Sequence, residues 1–160
     1  MNILVACIGN IFEGDDGFGC EVACELSRRR TAGAQVVDYG IRGIDLAYAL
    51  MDGHDLTIFV DTISRGGSPG ALYTIEPDLT GLDAGSCGFD AHRMNPLEVL
   101  RSVMAMGGRP GRLVLVGCEP GEVGGDEGRM GLTDAVAAAV PLAADIVESL
   151  VTAEREEIRV

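Results

Sequence analysis

Residues 9–19 read GNIFEGDDGFG, and no other stretch restricts the fold of this chain as tightly. An apolar run, residues 3–8, precedes it, and a helical pattern begins near Phe18. A strand, a glycine-rich turn with three acids and then a helix describe the first βα junction of an α/β domain. Such junctions set their loop groups above the carboxyl edge of the sheet, where open α/β folds hold ligands. Glu13, Asp15 and Asp16 crowd into four residues there. Two readings fit: carboxylates favouring a solvated helix N-terminus, or a cation-binding or acid–base site.

The rest of the chain continues the pattern. A helix is expected over residues 18–30, a strand over 35–39, a helix over 44–51 and a strand over 56–60 that ends on Asp61. The fourth strand, 71–76, follows after only about nine residues, whereas a parallel crossover needs about a dozen or more. It is therefore expected to run antiparallel on a sheet edge. Asn95-Pro96-Leu97-Glu98 opens a helix to about 106, with Asn as cap and Pro in the first turn. A strand over 112–116 and a helix from Thr133 to about 154, kinked or broken at Pro141, complete the order. The sequence thus predicts a three-layer α/β/α sandwich with a five-stranded, mostly parallel sheet and one antiparallel edge strand. Residues 1–160 are expected to form one domain, with a frayed tail over about 155–160.

Composition excludes several classes. The net charge is −13 and all 12 basic residues are Arg, a balance that repels phosphate backbones and argues against nucleic-acid binding. The N-terminus lacks a basic region, and no stretch reads as a membrane span, since residues 135–147 are interrupted by Pro141 and Asp145. A cytoplasmic protein is expected. The five cysteines form no CxxC pair and are expected as buried thiols. The glycine turn fits neither GxGxxG nor GxxxxGK[ST], no Gly-x-Ser-x-Gly elbow occurs, and a receiver domain would need a Lys that the chain lacks.

Asp16, Asp38 and Asp61 each fall just past a strand's carboxyl end, so three segments aim carboxylates at one edge. His92 precedes a helix and can reach that edge; His54 is expected in a solvated turn. An imidazole with two carboxylates suits a borderline transition metal, and three protein ligands leave a position open for chemistry.

With those residues placed, the chain resembles the endopeptidases that mature the large subunit of nickel-iron hydrogenases. ILVACIGNIFEGDDGFG, DYGIRGIDL, FVDTISRGGSPG, His92 before PLEVL, LVGCEP and GLTDAV occur in the family's order and spacing. The resemblance covers nearly the whole chain. Many members carry Glu at the first acidic position, where Asp16 is one methylene shorter. The resemblance implies removal of a C-terminal extension from a nickel-loaded large-subunit precursor. It assigns Asp16, Asp61 and His92 to the nickel, which the substrate carries, and Asp38, Gly40 and Gly43 to substrate contact. Either the metal or a carboxylate can activate the water. A non-catalytic nickel-binding or docking module in hydrogenase assembly would use the same three residues.

Overall fold

The apolar run at the start forms the centre of the molecule. In the computed structural model, which describes residues 1–80, 95–125 and 127–157, it is strand β1 (Ile3–Ile8), buried at every position. A strand buried on both faces needs apolar residues throughout rather than alternation. Strands β2 (Gln35–Gly40) and β3 (Leu56–Thr62) flank β1 in parallel. Strand β5 (Arg112–Cys118) pairs in parallel with β3, and β4 (Leu72–Ile75) closes the edge antiparallel to β5. The order is β2-β1-β3-β5-β4. The five strands and the antiparallel edge are those expected.

Helices cover both faces. Val5 and Cys7 of β1 turn toward α1 (Phe18–Arg29) and α4 (Asp134–Glu157), with Val22, Leu26, Ala143 and Val147 in one apolar cluster. Leu4, Ala6 and Ile8 turn the other way, toward α2 (Gly43–Met51) and α3 (Pro96–Ala105). Helix α3 is capped as read: the Asn95 side chain accepts the Leu97 N–H at 3.0 Å. Gly19 in the first turn of α1 lets that helix sit on the sheet, since a Cβ there would lie 2.1 Å from the Ile8 carbonyl oxygen.

The chain leaves β1 to one side for β2, crosses back for β3, and changes face as it does so. The switch point therefore lies between β1 and β3, the position where open α/β sheets hold ligands. Asp16 follows one of these strands, and Asp61 is the last residue but one of the other.

Five expectations are corrected. Asp61 lies within β3, because pairing with Gly117 of β5 continues the strand to Thr62. Helix α4 runs through Pro141 without a break and on to Glu157. Its length and apolarity would suffice to cross a membrane, contrary to the reading of that stretch as interrupted. It is nevertheless a core helix: one side packs on the sheet, and Arg29 of α1 reaches Asp145, Glu148 and the Pro141 carbonyl on another. His54 is buried, its Nδ1 without a partner among the described residues, because the turn before β5 packs on it; a Cβ at Gly111 would lie 2.2 Å from the His54 carbonyl oxygen. Cys7, Cys20 and Cys118 are buried free thiols, whereas Cys24 is exposed on the outer side of α1.

Candidate functional site

The loop after β1 closes on itself before it meets the rest of the site. The Asn10 N–H donates both to the Asp16 carbonyl and to the Asp16 carboxylate, each at 3.1 Å. Gly9 permits this closure, since a Cβ there would lie 2.1 Å from the Asp16 carbonyl oxygen. Asp15 and Asp16 form a single 3-10 turn (Asp15–Gly17) that runs directly into α1. Neighbours on such a turn point in different directions, and here they have different surroundings.

Asp15 points inward and is fully buried. Its carboxylate accepts the backbone N–H groups of Gly121 and Glu122, each at 2.8 Å, and that of Thr133 at 2.7 Å. The Thr133 hydroxyl also lies within 3.0 Å of both Asp15 oxygens. One side chain thus ties the first loop to the loop that joins β5 to α4. Thr133 precedes α4, and its carbonyl accepts the Ala137 N–H at 2.8 Å, while its hydroxyl is committed to Asp15.

Asp16 points toward β3 and is half-buried. Besides Asn10, its carboxylate accepts the Thr62 hydroxyl at 3.2 Å. The Thr62 N–H donates to Asp61 at 2.8 Å, so Thr62 connects both acids. Burial lifts the Asp61 carboxyl well above its ordinary pKa, the negative charge of Asp16 pushes it the same way, and the Thr62 N–H opposes. No ion pair among the described residues engages Asp16 or Asp61. Two carboxylates are thus coupled through Thr62 at the sheet's switch point, with no cationic partner among the described residues.

Asp38 stands on the other side of β1. Its carboxylate accepts the Gly40 N–H at 2.9 Å, and the Cys20 thiol lies 3.3 Å from the same oxygen. Burial first, and then that bond, pushes the Cys20 thiol up to about 12, so it stays protonated as a donor. The Gly40 carbonyl receives the Gly9 N–H at 3.1 Å, which joins the Asp38 turn to the loop bearing Asp16. Gly40 takes the left-handed conformation with φ +54, and Gly43 is buried in the first turn of α2. His92 lies outside the described residues. Among the described residues no group of three potential metal-binding side chains occurs; Asp16 and Asp61 supply two.

Three residues near this edge escape a reading of the sequence. Thr62 looks like an ordinary strand residue, and Asp15 looks like a spare neighbour of Asp16. Glu119 follows β5 and is also buried. It accepts the N–H groups of Arg65 at 2.8 Å and Gly66 at 3.2 Å and the Tyr73 hydroxyl at 2.9 Å. These bonds, led by that from Arg65, hold the Glu119 carboxyl below its ordinary pKa. They fix the turn that leaves Asp61 and Thr62. The sequence offers no short-range sign of any of these roles, because the partners of Asp15 and Glu119 are 46 to 118 residues away.

A family profile described as hydrogenase maturation protease matches residues 20–150. The hydrogenase expression/formation protein HupD of Rhizobium leguminosarum bv. viciae is 36% identical over 124 residues, 74% of this chain and 59% of its own length. The chain thus spans less than two thirds of that relative. A protein of Methanocaldococcus jannaschii provisionally named as a hydrogenase maturation protease is 33% identical over 91% of this chain and 94% of its own. Among solved structures, the hydrogenase 2 maturation peptidase of Thaumarchaeota archaeon SCGC_AB-539-E09 aligns at a TM-score of 0.72 and 30% identity, covering 95% of this chain and 99% of its own. The hydrogenase maturating endopeptidase HybD of E. coli shares the fold, with a TM-score of 0.75 at 23% identity over 96% of this chain and 94% of its own.

Proposed function

The chain belongs to the hydrogenase maturation protease family, and on that premise we propose that it is an endopeptidase for a nickel-loaded hydrogenase large-subunit precursor. It removes the precursor's C-terminal extension. Asp16 and Asp61, with His92 as the third ligand, grip the nickel that the precursor carries. The metal is part of the substrate, and the protein supplies a site complementary to it.

The observation that carries this reading is the Asp16–Asp61 pair. Both carboxylates are half-buried, both are oriented by Thr62, and neither meets an Arg among the described residues. Burial first, and then the like charge of Asp16, raises the Asp61 pKa. A divalent cation placed between them removes that repulsion. An imidazole added to two carboxylates shifts such a site from hard cations toward borderline ones such as nickel.

The protein's own groups do the rest. Thr62 and Asn10 keep the Asp16 carboxylate aimed at the crevice. The Asp38 turn braces the loop from the opposite side and offers the Gly40 backbone to the incoming chain, while Gly43 shapes the exit into α2. Nickel supplies Lewis acidity toward the scissile carbonyl or a bound water, or a carboxylate takes a proton from that water. The free buried thiols Cys7, Cys20 and Cys118 support work in a reducing compartment, and we place the protein in the cytoplasm.

The test is cleavage by the purified protein of a precursor prepared with and without nickel. The nickel-loaded form is expected to be shortened and the metal-free form to stay intact. Equal cleavage of both would remove the metal from recognition. Binding without cleavage would favour the docking-module alternative. His92→Ala should abolish processing with the melting curve unchanged; near wild-type cleavage by that variant would remove His92 from the site.

A further inference from the structure

The loop that carries Asp16 also carries Ile11 and Phe12, which are exposed by 42% and 63%. Across from it, the β5–α4 connection exposes Val123 and Met130 by 50% and 66%. The backbone joins the two. Arg129 donates to the Phe12 carbonyl at 2.9 Å, Gly14 to the Arg129 carbonyl at 2.8 Å, and Gly124 to the Glu13 carbonyl at 3.3 Å. Gly14 and Val123 form an antiparallel bridge, and Glu13 and Arg129 a parallel one. Asp15 fastens the same two segments from below. Single exposed apolar residues are ordinary. Four large ones on one hydrogen-bonded platform, at the sheet edge that holds the acid pair, mark a binding surface.

The surrounding charge defines what binds. Arg129 is paired with Glu122, while Glu13 and Glu127 take part in no ion pair among the described residues. The platform is therefore apolar in the middle and acidic at the rim, on a protein of net charge −13. Its complement is a polypeptide segment with large apolar side chains flanked by basic ones.

We propose, resting on the function argued above, that Ile11, Phe12, Val123 and Met130 form the docking platform for such a segment of the precursor, beside the bond to be cut. The platform supplies affinity and register, and the acid pair supplies metal recognition. Because Ile11 and Phe12 lie within the loop that ends in Asp16, seating the segment fixes its distance from the carboxylates.

The experiment combines kinetics with hydrogen exchange, using the full chain and the nickel-loaded precursor. Phe12→Ser and Met130→Ser, both at exposed positions, should each raise KM about tenfold with kcat unchanged. Binding of the precursor should slow backbone exchange at residues 11–13 and 123–124. Raised salt should weaken binding as the acidic rim is screened. Unchanged KM in both variants, or loops that stay unprotected in the complex, would overturn the platform while leaving the proposed activity intact. Binding that protects these loops and is weakened by both variants, with no cleavage by the wild type, would keep the platform and overturn the activity.

Discussion

Asp15 and Asp16 are adjacent in sequence, share a 3-10 turn, and have almost nothing else in common. Asp15 is fully buried, and its carboxylate is surrounded by three backbone N–H groups and a hydroxyl from the β5–α4 connection. Asp16 is half-buried, receives one N–H and one hydroxyl, and faces a second acid that no ion pair among the described residues engages. The first arrangement is satisfied within the protein. The second is not completed by the described residues, and in the proposed function the precursor's metal completes it. A buried acid with its hydrogen bonds filled holds structure together, while a partly solvated acid held near another stores repulsion that a ligand can release.

The largest test of this contrast is Asp61→Asn. Processing should fall roughly a thousandfold, the scale of losing one partner of a tightly engaged charge contact. The same substitution should raise the melting temperature at neutral pH. Because the folded protein holds the Asp61 pKa above its ordinary value, the stability from this group is present below the ordinary Asp pKa. It is lost as pH rises through the raised one. Asn removes that loss, so thermal scans between pH 4 and neutrality should show the variant gaining most at the upper end. A variant that melts lower at neutral pH would count against the pair as a strained site.

Asp15→Ala should behave in the opposite way. It leaves three N–H groups and a hydroxyl without their acceptor, at a cost of about 3 kcal/mol after the loop relaxes. The melting temperature should drop by on the order of 10 °C, with the β5–α4 connection losing hydrogen-exchange protection first. A silent Asp15→Ala would mean that the connection is held by something else.

Thr62→Val sharpens the comparison on a smaller scale. It deletes the hydroxyl bond to Asp16 and keeps the N–H bond to Asp61. A loss of about 1 kcal/mol of orientation should slow cleavage roughly fivefold, without a change in fold. Thr62→Ser should restore the wild-type rate. A valine variant at full rate would show that Asp16 needs no orienting group.

The smallest effect concerns Glu119, which resembles Asp15 in being buried with its donors. Its folded pKa is lowered, so it stabilises the fold above the ordinary Glu value and ceases to do so as pH falls through the lowered one. Glu119→Gln should flatten that acid limb of the stability curve. An unchanged limb would assign acid sensitivity to other carboxylates.

What the sequence shows of all this depends on range. The βα junction, the antiparallel edge strand and the placement of Asp16 and Asp61 follow from local pattern: an apolar run, a glycine turn, a connection too short for a crossover. The roles of Asp15 and Glu119 depend on partners brought together only by the sheet, so composition and spacing are silent about them. His54 sits among turn residues, Asp52-Gly-His-Asp55, and is buried only because β5 begins against it. Pro141 suggests a break, but α4 continues, with Arg29 holding the Pro141 carbonyl and two acids beside it. Helix packing outweighs the local penalty of the proline there.

The central claim is that two adjacent acids divide structure from function, and Asp16→Asn tests it most directly. The measurement is the rate of cleavage of a nickel-loaded precursor per folded molecule, taken beside a melting curve. Asn keeps an oxygen for the Asn10 N–H and turns an amide NH2 donor toward the Thr62 hydroxyl oxygen, so the melt should stay within about 1 kcal/mol of wild type. Cleavage should fall roughly a thousandfold, as for Asp61→Asn. An Asp16→Asn protein that cleaves at near wild-type rate, or that loses activity only by unfolding, would contradict the account.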